Sequence, residues 1–282
     1  MKKTTHGRDA RPEARSGAAP RTSWQPVEKW YDKSVGEMGH YYHQHVVIPG
    51  LMKLLALDKV ENPIILDLAC GQGVLERHLP PKACYWGFDI APGLIHSAKE
   101  QLRSKLRHFD VADVTKPLPL EKNDFTHAII ILALQNIEHP EKVIANASRH
   151  LAAGGKIAIV LNHPCFRVPR QSSWEVDEKN KMRYRRINRY LSPLKVPIKM
   201  NPSQGEASAE TWSFHHPLSD YTRWLHQEGF AVELIEEWAS DKESSGKTAK
   251  SENLSRAEIP LFLTLLARKI GKYEIKAAHR AS

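Results

Sequence analysis

Ile64-Ile65-Leu66-Asp67-Leu68-Ala69-Cys70-Gly71-Gln72-Gly73 is the stretch on which the fold turns. Its first half is an aliphatic run broken by a single acid, the composition of a strand buried on both faces of a parallel sheet. The two glycines that close it let the backbone bend sharply and approach a ligand, with the amides of the next turn facing that ligand. A helix is expected to start over 74–79.

Working outward, the same rhythm recurs. Strands are expected over 83–90, 106–111 and 125–134, with helices over 92–106 and 141–151; Pro92 stands near its helix's first turn. Gly154-Gly155 marks a turn before an apolar strand at 156–161. Beyond 162 the rhythm breaks into a stretch rich in Arg, Lys, Pro and Ser with no clear period, and it resumes with a helix at 217–229 that ends on glycine. A strand at 230–238, a polar charged loop at 239–256 and a strand at 259–267 complete the pattern. Before it all, residues 27–57 read as helical, with Val46, Val47, Leu51, Leu54 and Leu55 on one face. Strands alternating with helices of 10–15 residues predict an α/β fold: a doubly wound, mostly parallel seven-stranded sheet with an N-terminal helical cover and an insertion after the fifth strand.

Glycine pairs suit many nucleotides, and dinucleotide binding is the obvious rival. That fingerprint needs a third glycine, where this chain has Glu76, whose charge suits pyrophosphate poorly. Asp67, by contrast, opens the loop with an acid that can face a cation. At this point the sequence resembles class I S-adenosylmethionine-dependent methyltransferases, whose first motif the D-x-A-C-G-x-G loop matches. Further motifs follow in order. Trp86-Gly87-Phe88-Asp89-Ile90 resembles the second, in which an acid binds both ribose hydroxyls. Phe109-Asp110-Val111-Ala112-Asp113-Val114 resembles the third, in which an acid takes the adenine amino group and the next amide meets the ring. Leu132 to Asn136 lies where the fourth lines the methyl group, and Leu151-Ala152-Ala153-Gly154-Gly155-Lys156 resembles the fifth, with Ala153 in place of the usual proline.

The resemblance implies a Rossmann-like fold, S-adenosylmethionine as cofactor, and a donor site of Tyr31, Asp67, Ala69, Gly71, Gly73, Asp89, Ile90, Asp113, Val114, Leu132 and Gln135. Trp30-Tyr31-Asp32 and the segment around Tyr41-Tyr42 are similar to the cover of small-molecule methyltransferases, which closes over the donor. Asn162-His163-Pro164 faintly echoes the N-P-P-Y of nitrogen methyltransferases, but it follows the fifth strand rather than the fourth, so that activity is not carried over. Candidates near the mouth of the site are Tyr41, Tyr42, His43 and His45 from the cover and His163, Arg167 and His215 from the insertion side; of these Tyr42, His45 and His163 are the expected catalytic residues. No metal-ligand pattern is present.

Bulk properties narrow the rest. The 282 residues carry a net charge of +9, and it sits at the ends: residues 1–23 hold six bases and two acids, residues 268–282 five bases and one acid. The expected organisation is a disordered basic tail at 1–23, a methyltransferase domain at 24–268 with the insertion at 162–216, and a basic tail at 269–282. Three cysteines without a CxxC pair fit a cytoplasmic protein, and no apolar run approaches the roughly 20 residues of a membrane span. Three functional readings stand: methyl transfer to a small-molecule acceptor, methylation of RNA or protein through the basic run at 179–189 and the tails, and a non-catalytic nucleotide-binding regulatory module.

Overall fold

The computed structural model describes residues 40–102, 104–199, 208 and 210–271. Seven strands form one sheet: β1 (Ile64–Leu68), β2 (Cys84–Asp89), β3 (Arg107–Val111), β4 (Phe125–Ile131), β5 (Leu151–Asn162), β10 (Phe230–Trp238) and β11 (Phe262–Lys269). Their order across the sheet is β10-β11-β5-β4-β1-β2-β3. Six of the seven strands run in one direction, and β11 runs against them, antiparallel to both its neighbours β5 and β10. The strand order reverses between β1 and β4, so the crevice beyond their carboxyl ends is where a ligand is expected in such a sheet.

Period-two alternation divides β1 between two cores. Leu66 and Leu68 join a cluster with Val143, Ile144, Ala147, Tyr221 and Leu225, from helices α3 (Pro140–His150) and α4 (Leu218–Gln227). Ile65 faces the opposite way, toward Val47, Leu51 and Leu55 of the N-terminal helix and Ile95 and Ala98 of α2 (Pro92–Glu100). Both faces are thereby removed from water, which explains why the strands read as continuous apolar runs. Residues 43–55 are helical, a π-turn over His43–Val47 leading into α1 (Ile48–Leu55). The part of the expected 27–57 helix before residue 40 lies outside the described residues.

Several expectations need correction. No α-helix follows the glycine loop: 74–79 holds a three-residue 3-10 turn, Glu76–His78, because Pro80 and Pro81 directly after Leu79 stop a helix from propagating. The helix expected to reach 106 ends at Glu100. The fourth strand ends at Ile131 rather than 134, since Leu132 takes a left-handed backbone, φ 52°. The polar stretch at 239–256 contains most of a helix, α5 (Ala249–Glu258), and the last strand begins at Phe262 after Pro260.

The insertion is not irregular. It forms two antiparallel hairpins outside the main sheet: β6 (Ser172–Asp177) with β7 (Met182–Ile187), and β8 (Leu194–Lys199) with β9 (Glu210–His215). The first is tied down by the Arg185 side chain, whose Nε donates to the Phe166 carbonyl at 2.8 Å, and by an Arg183–Glu252 ion pair at 2.9 Å. Among the described residues, no helix is long and apolar enough to cross a membrane.

Candidate active site

The carboxyl ends of β1, β2 and β4 converge on one cavity of about 590 Å³, within the range of small-molecule and cofactor sites. The loop after β1 forms its floor. Ala69 sits in the left-handed region (φ 61°), a conformation that costs a non-glycine residue about 1–3 kcal/mol and that clusters at functional sites. The Cys70 amide donates to the Phe88 carbonyl at 3.0 Å, which fastens the loop to β2.

Asp89, at the end of β2, is the keystone. Its Oδ2 accepts the Gly71 amide and its Oδ1 the Ala91 amide, each at 2.9 Å. Backbone amides thus take up part of the carboxylate's accepting capacity and leave the remainder for a ligand's hydroxyls. Burial raises its pKa above the ordinary carboxylate value, opposed by the bonds from the Ala91, Gly71 and Ile90 amides. Asp113 lies beyond β3. Its Oδ1 accepts both the Thr115 hydroxyl (2.6 Å) and the Thr115 amide (3.0 Å), while Lys116 Nζ stands 3.4 Å from Oδ2. Partial burial pushes its pKa up, but these partners outweigh that and leave it below the usual value. Asp67 is buried, accepts the Tyr85 hydroxyl at 2.8 Å, and is pushed up to about 7 chiefly by burial. Gly87, its register partner on β2, leaves the space that the Tyr85 hydroxyl occupies: a Cβ there would stand 2.8 Å from that oxygen.

Of the residues expected at the donor site, Asp67, Ala69, Gly71, Asp89, Ile90, Asp113, Val114, Leu132 and Gln135 line this cavity. Gly73 does not. Its φ is 76°, and a Cβ there would lie 2.5 Å from the Phe109 ring, so its part is to pack the loop against β3. Tyr31 lies outside the described residues.

The three expected catalytic residues are not on the cavity wall. Tyr42 places its hydroxyl 3.0 Å from Ser240 Oγ and its ring on Phe262. His45 stacks on Tyr41 at 4.3 Å and faces Asp241 at 3.7 Å. His163 is buried, with Nε2 2.7 Å from Glu237 and Nδ1 accepting the Cys165 amide. Instead the cover presents His40 and His43, both lining the cavity. Residues three apart share a helix face, so 42 and 45 turn together toward Ser240 and Asp241 while 40 and 43 turn together toward the cavity. The apolar series Val47, Ile48, Leu51, Leu55, extended backwards, ends on His43 and His40; that periodicity was the signal available in the sequence. Burial, and His40 nearby, lower the His43 pKa to about 4, and its Nδ1 is buried without a hydrogen-bond partner.

Comparison with known proteins relates the fold around this cavity to methyltransferases. A family profile described as "Methyltransferase domain" matches residues 66–159. An S-adenosylmethionine-dependent methyltransferase from Mesorhizobium loti superposes with a TM-score of 0.61 at 25% identity, covering 78% of this chain and 99% of that one. Residues 66–159 thus match a methyltransferase domain, set in the fold of class I S-adenosylmethionine-dependent methyltransferases. The methyltransferase fold recurs in a Clostridium acetobutylicum protein at 16% identity, TM-score 0.57, covering 88% of this chain and 99% of that one. A demethylmenaquinone methyltransferase of Chlamydia pneumoniae is 30% identical over 99 residues, or 34% of this chain; the match spans 43% of that curated relative, under half its length. The cofactor of the methyltransferase domain is S-adenosylmethionine, and the residues present fit it: an acid at the end of β2 with accepting capacity left over, a second beyond β3, and a glycine loop between them.

Proposed function

We propose that the protein transfers a methyl group from S-adenosylmethionine to a small-molecule acceptor held under the β8–β9 hairpin. One observation carries this: Ile198 of β8 and Ser213 of β9 line the same cavity as Asp89 and Asp113. The insertion therefore roofs the donor's cavity, and it supplies an apolar and a polar contact there, as small-molecule sites do. The name of the Chlamydia relative, demethylmenaquinone methyltransferase, supports a small acceptor.

When bound, the donor supplies an electrophilic methyl on a positively charged sulfur. Asp89 would hold the ribose hydroxyls, Asp113 and the Val114 amide would meet the adenine, and Asp67 would balance the cationic methionine end. Leu132, Gln135 and Asn136 flank the transfer position, while Ile48, Ile137 and Ile198 exclude water from it. Alignment supplies most of the acceleration, since a nucleophile held about 3 Å from the methyl in line with the breaking bond needs little further activation. His43 is neutral across the working pH range and offers Nδ1 as a hydrogen-bond acceptor to the incoming nucleophile.

A nucleic-acid acceptor is less well supported, because the basic run at 179–189 is partly engaged within the protein. Arg183 pairs with Glu252, and Arg185 binds Phe166 and Ser172. Three unpaired cysteines accord with a cytoplasmic setting. The test is calorimetry with S-adenosylhomocysteine followed by turnover of radiolabelled donor against small-molecule extracts, with tRNA and rRNA in parallel. Labelling of a small molecule supports the proposal. Absence of donor-product binding, or labelling of RNA alone, overturns it.

A further inference from the structure

Beside the main cavity lies a second hollow of about 40 Å³, lined by Arg167 among others. The two share Gln135, Asn162 and Ser213 as walls, so a group seated in the smaller one continues a molecule lying in the larger.

Arg167 is the anomaly of this region. Among the described residues no carboxylate pairs with it, and its Nε is buried with no acceptor. The acids of this region are engaged elsewhere: Glu237 with His163 at 2.7 Å, Asp220 with Arg223 at 2.8 Å and His216 at 3.5 Å. Arg185 adds positive charge from one side. Drawing a guanidinium even partly out of water without a counter-ion is unfavourable. On the shared wall Gln135 Oε1 is also buried without a donor, its amide nitrogen being spent on the Leu132 carbonyl at 3.0 Å.

We propose that Arg167 is the receptor for a carboxylate on the methyl acceptor, so that the substrate class is a small organic acid. This rests on the reading of the main cavity as the donor and acceptor site. The hollow is large enough for a few heavy atoms, and a carboxylate offers two oxygens to the guanidinium fork. Gln135 Oε1 then takes a hydrogen from an N–H or O–H group of the same molecule. Arg167 is a specificity-determining residue: it binds the acceptor at a distance from the transferred methyl.

The experiment titrates the full-length protein, with and without saturating S-adenosylhomocysteine, with benzoate and with its neutral counterpart benzamide. Benzoate should bind at least about tenfold more tightly, the worth of one charged hydrogen-bonded contact. Arg167→Met should reduce benzoate to the benzamide level, Arg167→Lys should retain part of the preference, and S-adenosylhomocysteine affinity should stay the same in both. Equal affinity of the acid and the amide for the wild-type protein, or undiminished benzoate binding by Arg167→Met, overturns the assignment. The acid–amide comparison needs no variant, so a misfolded Arg167→Met would not block the decision. Failure of S-adenosylhomocysteine itself to bind would count against the proposed methyl transfer, whereas equal acid and amide binding to loaded protein would count against the carboxylate alone.

Discussion

The Tyr85 hydroxyl donates to Asp67 Oδ2 at 2.8 Å beneath the glycine loop, and that bond restrains a carboxyl whose pKa burial has pushed up to about 7. Near neutrality the donor-free protein therefore carries Asp67 partly protonated. A cationic methionine end favours the carboxylate, so binding should release a proton below about pH 7 and donor affinity should fall up to about tenfold per unit of acidification there. Tyr85→Phe removes a hydrogen bond that lowers the pKa and should move the inflection upward. Calorimetry of S-adenosylhomocysteine in buffers of different ionisation enthalpy measures the proton directly; zero release at roughly pH 6.5 would remove Asp67 from the donor site. Stability follows the same group with its own sign. Because the folded pKa is raised, the contribution is present below the ordinary carboxylate range and lost as pH rises through about 7. Donor-free protein should melt lower above that pH than below it, and Asp67→Asn should flatten the difference.

Asp89→Asn keeps the side chain's shape but not its charge or its second acceptor oxygen. It should weaken S-adenosylhomocysteine binding by about 1–3 kcal/mol, the value of charge-assisted contacts to hydroxyls. An unchanged dissociation constant would disprove the ribose role.

Gly73→Ala sets a Cβ 2.5 Å from the Phe109 ring in a backbone of φ 76°. Overpacking and left-handed strain together should cost about 2–4 kcal/mol of stability. Adding Phe109→Leu should recover part of this in urea denaturation; strictly additive losses would show that the clash is not the cause.

Glu76 also has a structural task. Its Oε1 lies 2.9 Å from Arg107 Nε, whose side chain is only 4% exposed and also donates to the Ala83 and Pro80 carbonyls. Glu76→Ala should cost about 3–5 kcal/mol by stranding a buried cation, with Glu76→Gln milder. A melting temperature within error of wild type would show that Arg107 is compensated otherwise.

His43→Ala should leave donor-product affinity within about twofold while lowering turnover by about tenfold, as expected for loss of one hydrogen bond to the reacting group. His45→Ala, on the other face, should do neither. Matching effects of the two variants on radiolabel transfer would argue against the division of faces drawn above.

The seven-stranded sheet was legible because buried parallel strands must be apolar throughout, and each stands between turn residues. The acids at Asp67, Asp89 and Asp113 were legible for a related reason: a charge at the end of an apolar strand has few structural uses. The hairpins at β6–β9 were not, since their side chains carry no strict alternation of apolar and polar types; Arg183, Arg185 and Arg186 mask the pattern of β7. Helix α5 was hidden for want of an apolar face, with Ser255 its only buried residue. The catalytic candidates were misplaced because Tyr42 and His45 were picked by residue type, whereas helical phase decides which side chains reach the cavity. Arg167 stood in the sequence as one of several candidates near the mouth, and what sets it apart, a missing partner, is visible only in three dimensions.

The four strands of the insertion leave the chain after β5 and rejoin it before α4, and none of them hydrogen-bonds to the central sheet. They behave as a graft on a stock. On the proposed function, changes at Ile198, Ser213 or Arg167 should alter the acceptor's surroundings without disturbing the register of β1 against β2. For an engineer the seam at Asn162 and His215 is accordingly the place to cut, exchanging one roof for another above an unaltered hearth.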